Sequence, residues 1–247
     1  MTRRPELLAP AGTMEKLEAA LRYGADAAYL GGRQFGLRAF GGNFTEDEIA
    51  AAVRLAHGMG KKIYVTVNVF PHNEDLVSLP DYLRFLKEAG ADAVLVADLG
   101  VFMCAREAAP GLPIHVSTQA NNVNWRTVRA WQELGATRVV LARELSTAEI
   151  QEIRRATDVE LELFVHGAMC ISYSGRCLLS SYFTGRDANR GSCAQSCRWK
   201  YALVEESRPG AYYPIAEDER GTYIMNSKDL CLLPYLDEVI ACGVDSL

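Results

Sequence analysis

Three stretches that share one pattern decide the fold: YGADAAYL at residues 23–30, AGADAVLV at 89–96 and LGATRVVL at 134–141. In each, a Gly-Ala step ends an amphipathic stretch and a short apolar run follows at once. Glycine readily adopts the left-handed conformation that ends a helix. Short, nearly continuous apolar runs are typical of parallel strands that are buried on both faces. The repeated pattern therefore predicts a chain of βα units.

Seven strands of this kind are predicted before residue 167. They are Leu7–Ala9, Ala27–Leu30, Lys62–Val69, Ala93–Val96, Ile114–Ser117, Arg138–Ala142 and Leu161–Val165. Thr45 with Glu48, and Ser146 with Glu149, predict capping boxes at the starts of two intervening helices. Repeated βα units form either a closed barrel or an open doubly wound sheet. Because no G-x-G-x-x-G follows the first strand, the pattern favours an α/β fold of the TIM-type (β/α) barrel class.

The eighth strand of such a barrel is predicted to be short or truncated. ACGVDSL at 241–247 repeats the glycine-then-strand pattern, so either the chain is a fragment or these residues alone close the barrel. Between residues 167 and 223 the βα period breaks, which predicts a long insertion after the seventh strand. We expect barrel repeats at 1–167, a Cys-rich insertion at 168–223 over the C-terminal face of the barrel, and the last helix with the start of the eighth strand at 224–247. Active sites of (β/α) barrels lie at that face.

The composition bounds the class of protein. The chain has 247 residues, of which 49% are hydrophobic and 23% are charged, as in ordinary globular proteins. No apolar run reaches the roughly 20 residues that span a bilayer, and MTRRPELLAPAG lacks the apolar stretch of a signal peptide. We therefore expect no membrane partner and a cytoplasmic location.

The net charge of the chain limits how it could bind nucleic acid. The formal net charge of −5 gives no overall attraction for nucleic acid, so RNA would have to bind locally. One segment suits local binding, because basic and aromatic side chains alternate in it, although a solvated basic loop with packing aromatics has the same composition. These side chains are Arg176, Arg186, Arg190, Arg198 and Lys200, with Tyr173, Tyr182, Phe183, Trp199 and Tyr201.

Four cysteines, Cys170, Cys177, Cys193 and Cys197, lie in HGAMCISYSGRCLLSSYFTGRDANRGSCAQSCRWKY at 166–201. Thiols stay reduced in the cytosol, where clustered cysteines are more often metal ligands or catalytic groups than disulfides. Four thiolates match either a structural zinc site or an iron–sulfur cluster. Zinc ribbons favour closely spaced pairs, and only the last pair is close, so the spacing slightly favours iron–sulfur and leaves zinc open. Cys231 is a further ligand candidate.

The cysteine segment also resembles the collagenase-like peptidase family, which is peptidase family 32 of unknown catalytic type. The same resemblance extends to ELLAPAG at 6–12, HVSTQANNVNW at 115–125 and GTYIMNSKDL at 221–230. Within that family the chain looks most like the bacterial tRNA 5-hydroxyuridine synthases, which are similar to the ribosomal RNA 5-hydroxycytidine synthase and to anaerobic ubiquinone hydroxylation proteins. The resemblance implies a 4Fe-4S cluster on the four cysteines and oxygen-independent hydroxylation. It implies tRNA as the partner and prephenate as the co-substrate that supplies the hydroxyl group.

If the resemblance holds, the barrel mouth must bind a small dicarboxylate and an unstacked base. Polar side chains near strand ends and in the insertion are the candidates, because arginine forks suit carboxylates. The candidates for catalysis are Asn68, Gln119, Arg143 and His166, and those for substrate binding are Arg38, Asp98, Asn121, Arg176, Arg186 and Lys228. A surface salt bridge or support of a loop is the alternative role for each of them.

Other functions stay open at this point. A peptidase would need a nucleophile with a base, or a metal-bound water. The sequence has no G-x-S-x-G and no H-E-x-x-H, which leaves Cys170 near His166 as the candidate pair. The substrate of a peptidase would be a protein. If the chain is instead a ribosomal RNA 5-hydroxycytidine synthase, its substrate is a ribosomal RNA. A binding module, in which the metal only stabilises the insertion, would bind RNA without changing its mass.

Overall fold

Seven parallel strands alternate with helices in the computed structural model, which describes residues 4–37, 43–170, 172, 176–199, 203–204, 209–210, 212–213, 216–218, 221–223 and 229–247. The strands are β1 (Leu8–Pro10), β2 (Ala27–Gly31), β3 (Lys62–Val67), β4 (Ala93–Val96), β5 (Ile114–Val116), β6 (Arg138–Val140) and β7 (Glu160–Glu162). Each pairs in parallel with its neighbour in sequence. The predicted α/β barrel class is confirmed.

Several predicted strands extend further than the observed ones. The predicted ends at Val69 and Ala142 lie two residues beyond the ends of β3 and β6. Both residues are buried, because the apolar run continues into the core after the last ladder hydrogen bond. An apolar run therefore predicts which residues are buried. At the C-terminal end of the sheet, the buried residues extend beyond the last paired residue of the strand.

Helices surround this sheet. They are α1 (Met14–Arg22), α2 (Glu46–Gly58), α3 (Leu79–Glu88), α4 (Leu99–Ala108), α5 (Trp125–Leu134), α6 (Thr147–Ala156), α7 (Leu179–Thr184) and α8 (Leu236–Ala241). Both predicted capping boxes are confirmed, with Thr45 and Glu48 at the start of α2 and Ser146 and Glu149 at the start of α6. Among the described helices, none has the length and apolar character needed to cross a bilayer.

Residues 245–247 close the barrel between β1 and β7. Ser246 forms parallel bridges with Glu6 on one side and Glu162 on the other. The Leu247 N–H donates to the Glu6 carbonyl at 2.9 Å, and the Leu163 N–H donates to the Ser246 carbonyl at 3.1 Å. Residues 245–247 thus lie between β1 and β7, in the position of the eighth strand of the barrel.

A buried ionic cluster fills the N-terminal end of the barrel; we call it the Arg138 cluster, and it comprises Glu6, Tyr64, Arg138, Glu160 and Glu162. The Arg138 side chain is almost wholly buried, and its Nη1 donates to Glu6 at 2.7 Å and to Glu162 at 3.1 Å. Its Nη2 donates to Glu160 at 2.7 Å, and Tyr64 Oη donates to Glu6 at 2.8 Å. One guanidinium therefore compensates three carboxylates in the floor of the barrel.

The carboxyl groups of the Arg138 cluster differ in pKa. Burial raises the pKa of Glu162 to about 7, although the charge of Arg138 lowers it. At Glu6, burial also acts to raise the pKa, but hydrogen bonds and charge from Arg138 hold it below its usual value. The difference arises because Glu162 is the more deeply buried carboxyl and shares Arg138 with two others.

The chain after β7 forms shorter elements. The strand β8 (His166–Gly167) pairs antiparallel with a strand of two residues at 230–231. Two further antiparallel pairs join β9 (Leu203–Val204) to β10 (Tyr212–Tyr213), and β11 (Ala216–Asp218) to β12 (Gly221–Tyr223). The two-residue strand that pairs with β8 is β13 (Leu230–Cys231), and it precedes α8. The domain limits at 167 and 223 stay a prediction.

Candidate metal centre and barrel mouth

Asn189 anchors the cysteine segment to the C-terminal face of the barrel. Its Oδ1 accepts from the Cys177 N–H at 3.3 Å and its Nδ2 donates to the Cys177 carbonyl at 3.2 Å. The Asn189 carbonyl accepts from the N–H of Phe70, in the loop after β3, at 3.2 Å. The neighbouring Arg190 donates to Asp75 at 2.8 Å. One residue thus joins a candidate metal ligand to a barrel loop.

Gly191 brings the same segment against the loop after β2. Its φ of +87° is left-handed, and a Cβ built there would lie 2.6 Å from the carbonyl oxygen of Gly36. Only glycine permits this approach without strain. The cysteine segment therefore lies over the ends of β2 and β3, as expected for a structure at the C-terminal face of a barrel.

The four predicted cysteine ligands are free thiols, and their charges influence one another. Burial raises the pKa of the Cys197 thiol, and the charges of Cys170, Cys193 and Cys177 raise it further. Burial likewise raises the pKa of Cys170, which also responds to Cys177 and Cys193. Within the described ranges, no three side chains of the His, Cys, Asp and Glu types approach closely enough to hold a single metal ion.

Three of the four sulfurs accept a hydrogen bond from the backbone N–H two residues further along. The pairs are Ser172 N–H to Cys170, Leu179 N–H to Cys177 and Gln195 N–H to Cys193, with N···S distances of 3.4, 3.3 and 3.3 Å. Such N–H donors stabilise thiolate charge and tune iron–sulfur centres. These backbone donors therefore suit thiolate ligands of a metal centre.

Asn68, Gln119 and Arg176 meet at the barrel mouth. Asn68 is buried, and its Nδ2 donates to Gln119 Oε1 at 3.4 Å. Ser117 Oγ donates to the same oxygen. Arg176 Nε donates to the Gln119 carbonyl at 3.3 Å, and its guanidinium lies 5.0 Å from the ring centroid of Phe70. Three candidates from distant parts of the sequence are thus adjacent.

Arg143 lies between the end of β6 and the cysteine segment. Its Nη1 donates to the carbonyl of Ala168 at 3.2 Å, and its guanidinium is 5.9 Å from the Phe164 ring centroid. Its charge acts on the thiol of Cys170, lowering a pKa that burial raises. Arg143 Nε is buried and has no hydrogen-bond partner in the part of the chain that is described.

Sequence reasoning chose Asn121 and passed over its neighbour Asn122. Asn122 is fully buried; its Nδ2 donates to the Val140 carbonyl at 3.3 Å and its own carbonyl accepts from the Ala142 N–H at 3.2 Å. Asn121 has a left-handed φ of 56°. The Oδ1 atoms of both side chains are buried without a partner among the described residues. The signal available in the sequence is an Asn-Asn pair four residues after the predicted end of a buried strand at Ser117.

The remaining candidates have other placements. Asp98 caps α4, where its carboxylate accepts from the Val101 N–H at 3.0 Å. His166 is exposed in β8, opposite Cys231 in the strand register. Arg186 donates from Nε to the Ser192 carbonyl at 3.1 Å and so supports the loop that contains Cys193. Arg38 and Lys228 lie outside the described residues.

Two concave surfaces accompany these groups. A cavity of about 350 Å³ lies beside Arg176 and is lined by Phe70, Pro71, His72, Arg176, Asp187 and Asn189. A groove of about 440 Å³ lies between α4 and α5 and is lined by residues such as Leu99 and Trp131. Only the smaller cavity adjoins the barrel mouth and the cysteine segment, so we consider it the functional one.

The fold and the site together define a (β/α) barrel whose mouth lies beneath a segment that contains four free thiols. The sequence profile of peptidase family U32 matches residues 12–247. The chain belongs to this family, as the sequence motifs predicted.

Three curated relatives of this chain have names that refer to RNA modification. The chain is 48% identical to "tRNA hydroxylation protein P1" of Bacillus subtilis over 247 residues, which is 100% of this chain and 58% of the relative. It is 43% identical to "tRNA hydroxylation protein P" of Escherichia coli, with 99% of this chain and 63% of the relative covered. It is 40% identical to "23S rRNA 5-hydroxycytidine C2501 synthase" of Escherichia coli, with 98% and 36% covered. The chain thus spans less than two thirds of the length of these relatives.

A solved structure supports the fold alone. The structure of the U32 peptidase Mk0906 has a TM-score of 0.58 and 18% sequence identity, and the match covers 67% of this chain and 70% of that one.

Proposed function

We propose that this chain forms the catalytic part of an RNA hydroxylase that adds a hydroxyl group to carbon 5 of a tRNA wobble uridine. Prephenate supplies the hydroxyl group and molecular oxygen is not used. The observation that supports this most directly is a segment with four cysteines that is held by hydrogen bonds over a polar barrel mouth. It occurs in a chain that is 48% identical to a tRNA hydroxylation protein.

Cys170, Cys177, Cys193 and Cys197 would hold a 4Fe-4S cluster, with zinc as the alternative. When bound, such a cluster supplies one-electron chemistry at a potential set by charge, hydrogen bonds to sulfur and burial. The three backbone N–H donors to sulfur support this assignment. The sequence spacing also slightly favours a cluster, because only Cys193 and Cys197 form the close pair that is typical of structural zinc sites.

The chain's own groups at the mouth suit a dicarboxylate and a base. Arg176 is held at Nε by the Gln119 carbonyl and against the Phe70 ring, and it lines the cavity beside the mouth. Arg143 places a second cation beside Cys170. The Asn68–Gln119 pair and the unpartnered Oδ1 of Asn121 offer donors and acceptors for the edge of an unstacked base.

A peptidase gains no support from the geometry. Cys170 accepts from the Ser172 N–H, and His166 is exposed on a strand that pairs with β13. In the described structure these two side chains do not hydrogen-bond each other, as a nucleophile and its base would. Ribosomal RNA is the stronger alternative substrate, because one relative is named for hydroxylation of a ribosomal cytidine.

The test combines a genetic and a spectroscopic measurement. Deleting the gene should remove 5-hydroxyuridine and its derivatives from tRNA, and the full-length protein purified without oxygen should contain iron and absorb broadly near 400 nm, as iron–sulfur proteins do generally. Cys193→Ala should abolish both properties. Cys104→Ala is the matched control, because Cys104 lies in α4 away from the thiol cluster.

Three outcomes would contradict the proposal. Loss of a ribosomal cytidine modification with unchanged tRNA would move the assignment to ribosomal RNA. Unaltered RNA together with cleavage of a collagen peptide would support a peptidase. Binding of tRNA with no change in its mass would indicate a binding module.

A further inference from the structure

Helix α7 reverses the usual distribution of polar and apolar side chains. Ser180 is 1% exposed, and its Oγ accepts from the Ala194 N–H at 3.0 Å. By contrast Tyr182 is 83% exposed, Phe183 is 46% exposed and Leu178, just before the helix, is 77% exposed. A helix that only completes the core buries its large apolar residues, whereas contiguous exposed ones indicate a binding surface.

The exposed rings continue onto Trp199. The ring centroids of Tyr182 and Phe183 are 5.1 Å apart at 81°, and those of Phe183 and Trp199 are 6.1 Å apart at 54°. Trp199 is 42% exposed. We call Tyr182, Phe183 and Trp199 the aromatic surface. The differing ring planes present several π faces rather than one flat patch.

The segment that carries the aromatic surface is rich in arginine although the chain as a whole is negative. Residues 176–199 contain four arginines and one aspartate, with no lysine or glutamate, while the whole chain has a formal net charge of −5. Arg198 adjoins Trp199 in sequence, and Arg186 is held in the same segment by carbonyl groups. Positive charge beside exposed aromatic faces is the combination that binds single-stranded nucleic acid.

We propose that the aromatic surface is a stacking platform for unpaired bases of the RNA substrate. The choice of RNA as the partner rests on the proposed function. The platform is built on the residues that follow Cys177 and Cys197, so a loop stacked on it lies beside the thiols and the mouth. Stacking accepts every base, because each has a π face, so the platform holds the single-stranded loop while other groups select the target base.

The experiment measures binding of the full-length protein to an RNA hairpin with a uridine-containing loop, and to a fully paired duplex. Tyr182→Ala and Trp199→Ala should each weaken hairpin binding by about tenfold, since stacking contributes that order of affinity per base. Neither should change duplex binding or the salt dependence, which reports phosphate contacts. Tyr182→Phe should bind within about twofold of wild type, because it keeps the ring.

Two further measurements sharpen the test. Tyr23→Ala is the matched control, because Tyr23 is 91% exposed at the end of α1, away from the insertion. Hairpin RNA should quench tryptophan fluorescence, and Trp199→Phe should abolish the quenching although Trp125 and Trp131 remain.

Unchanged hairpin affinity in Tyr182→Ala would overturn the proposal. The same holds if the variants only lower the melting temperature or alter self-association, because the surface is then covered by protein. Hydroxylation is measured separately on the same samples. Wild-type protein that binds as expected but leaves RNA mass unchanged contradicts the proposed function alone, whereas active Tyr182→Ala protein with wild-type affinity contradicts the stacking platform alone.

Discussion

Replacing Arg138 by Met tests the buried floor of the barrel. The substitution keeps most of the side-chain volume and removes the charge that compensates Glu6 and Glu162, whose distances to Nη1 are 2.7 and 3.1 Å. Breaking a buried ion pair by removing one partner costs about 3–5 kcal/mol, because the other charge stays buried without compensation. For a protein of this size that corresponds to a fall in Tm of about 6–20 °C.

The assay is urea and thermal unfolding of wild type and Arg138→Met at neutral pH. Arg4→Met is the matched control, because Arg4 pairs with Asp26 at 3.0 Å on the surface, where such pairs contribute about 0–1 kcal/mol. Adding Glu162→Gln to Arg138→Met should recover part of the loss, since one uncompensated carboxylate is removed. A loss below about 1 kcal/mol in Arg138→Met would refute the reasoning, because it would mean that the carboxylates do not depend on this guanidinium.

Three further predictions concern other residues. Burial raises the pKa of Glu162 in the folded state to about 7 from an ordinary 4.5. Its contribution to stability is therefore full below pH 4.5 and is lost as the pH rises through 7. Unfolding measured from pH 5 to 8 should show this decline in wild type and a flatter curve in Glu162→Gln. Asn189→Ala removes both hydrogen bonds to the Cys177 backbone and should cost about 1–3 kcal/mol in thermal unfolding, with faster loss of iron from the purified protein; an unchanged rate of iron loss would argue against the anchor. Gly191→Ala should speed proteolysis within residues 168–199, whereas Gly135→Ala, equally left-handed but without a close neighbour, should not.

The sequence predicted the barrel well because its signals are local. The Gly-Ala step before β4 and the Thr45–Glu48 capping box act within a few residues, and each has the expected structure. Arg138 shows the opposite case. It was assigned to a strand, but its partner Glu6 is 132 residues away, and no local pattern reveals that pairing.

The candidate site divides in the same way. The clustering of Cys193 and Cys197 is visible in the sequence, whereas the contact between Asn68 and Gln119 depends on how neighbouring strands end. Its position at a strand end makes Asp98 a candidate for substrate binding, but the structure shows it as the cap of α4, where it accepts from the Val101 N–H. Strand-end position alone does not separate residues that face the mouth from those that start the next helix.

Closure of the sheet by Ser246 has a consequence for the order of events on the ribosome. The Ser246 hydroxyl donates to Glu6 across 240 residues of chain, so β1 and β7 expose unpaired edges until that part of the chain has been synthesised. The entropy of closing so long a loop grows only slowly with length, by about 0.6 kcal/mol per doubling, so the delay limits speed more than final stability. The cysteine segment is made before the barrel can close. A nascent chain therefore carries the thiols while β1 and β7 still have unpaired edges, and such exposed strand edges favour aggregation.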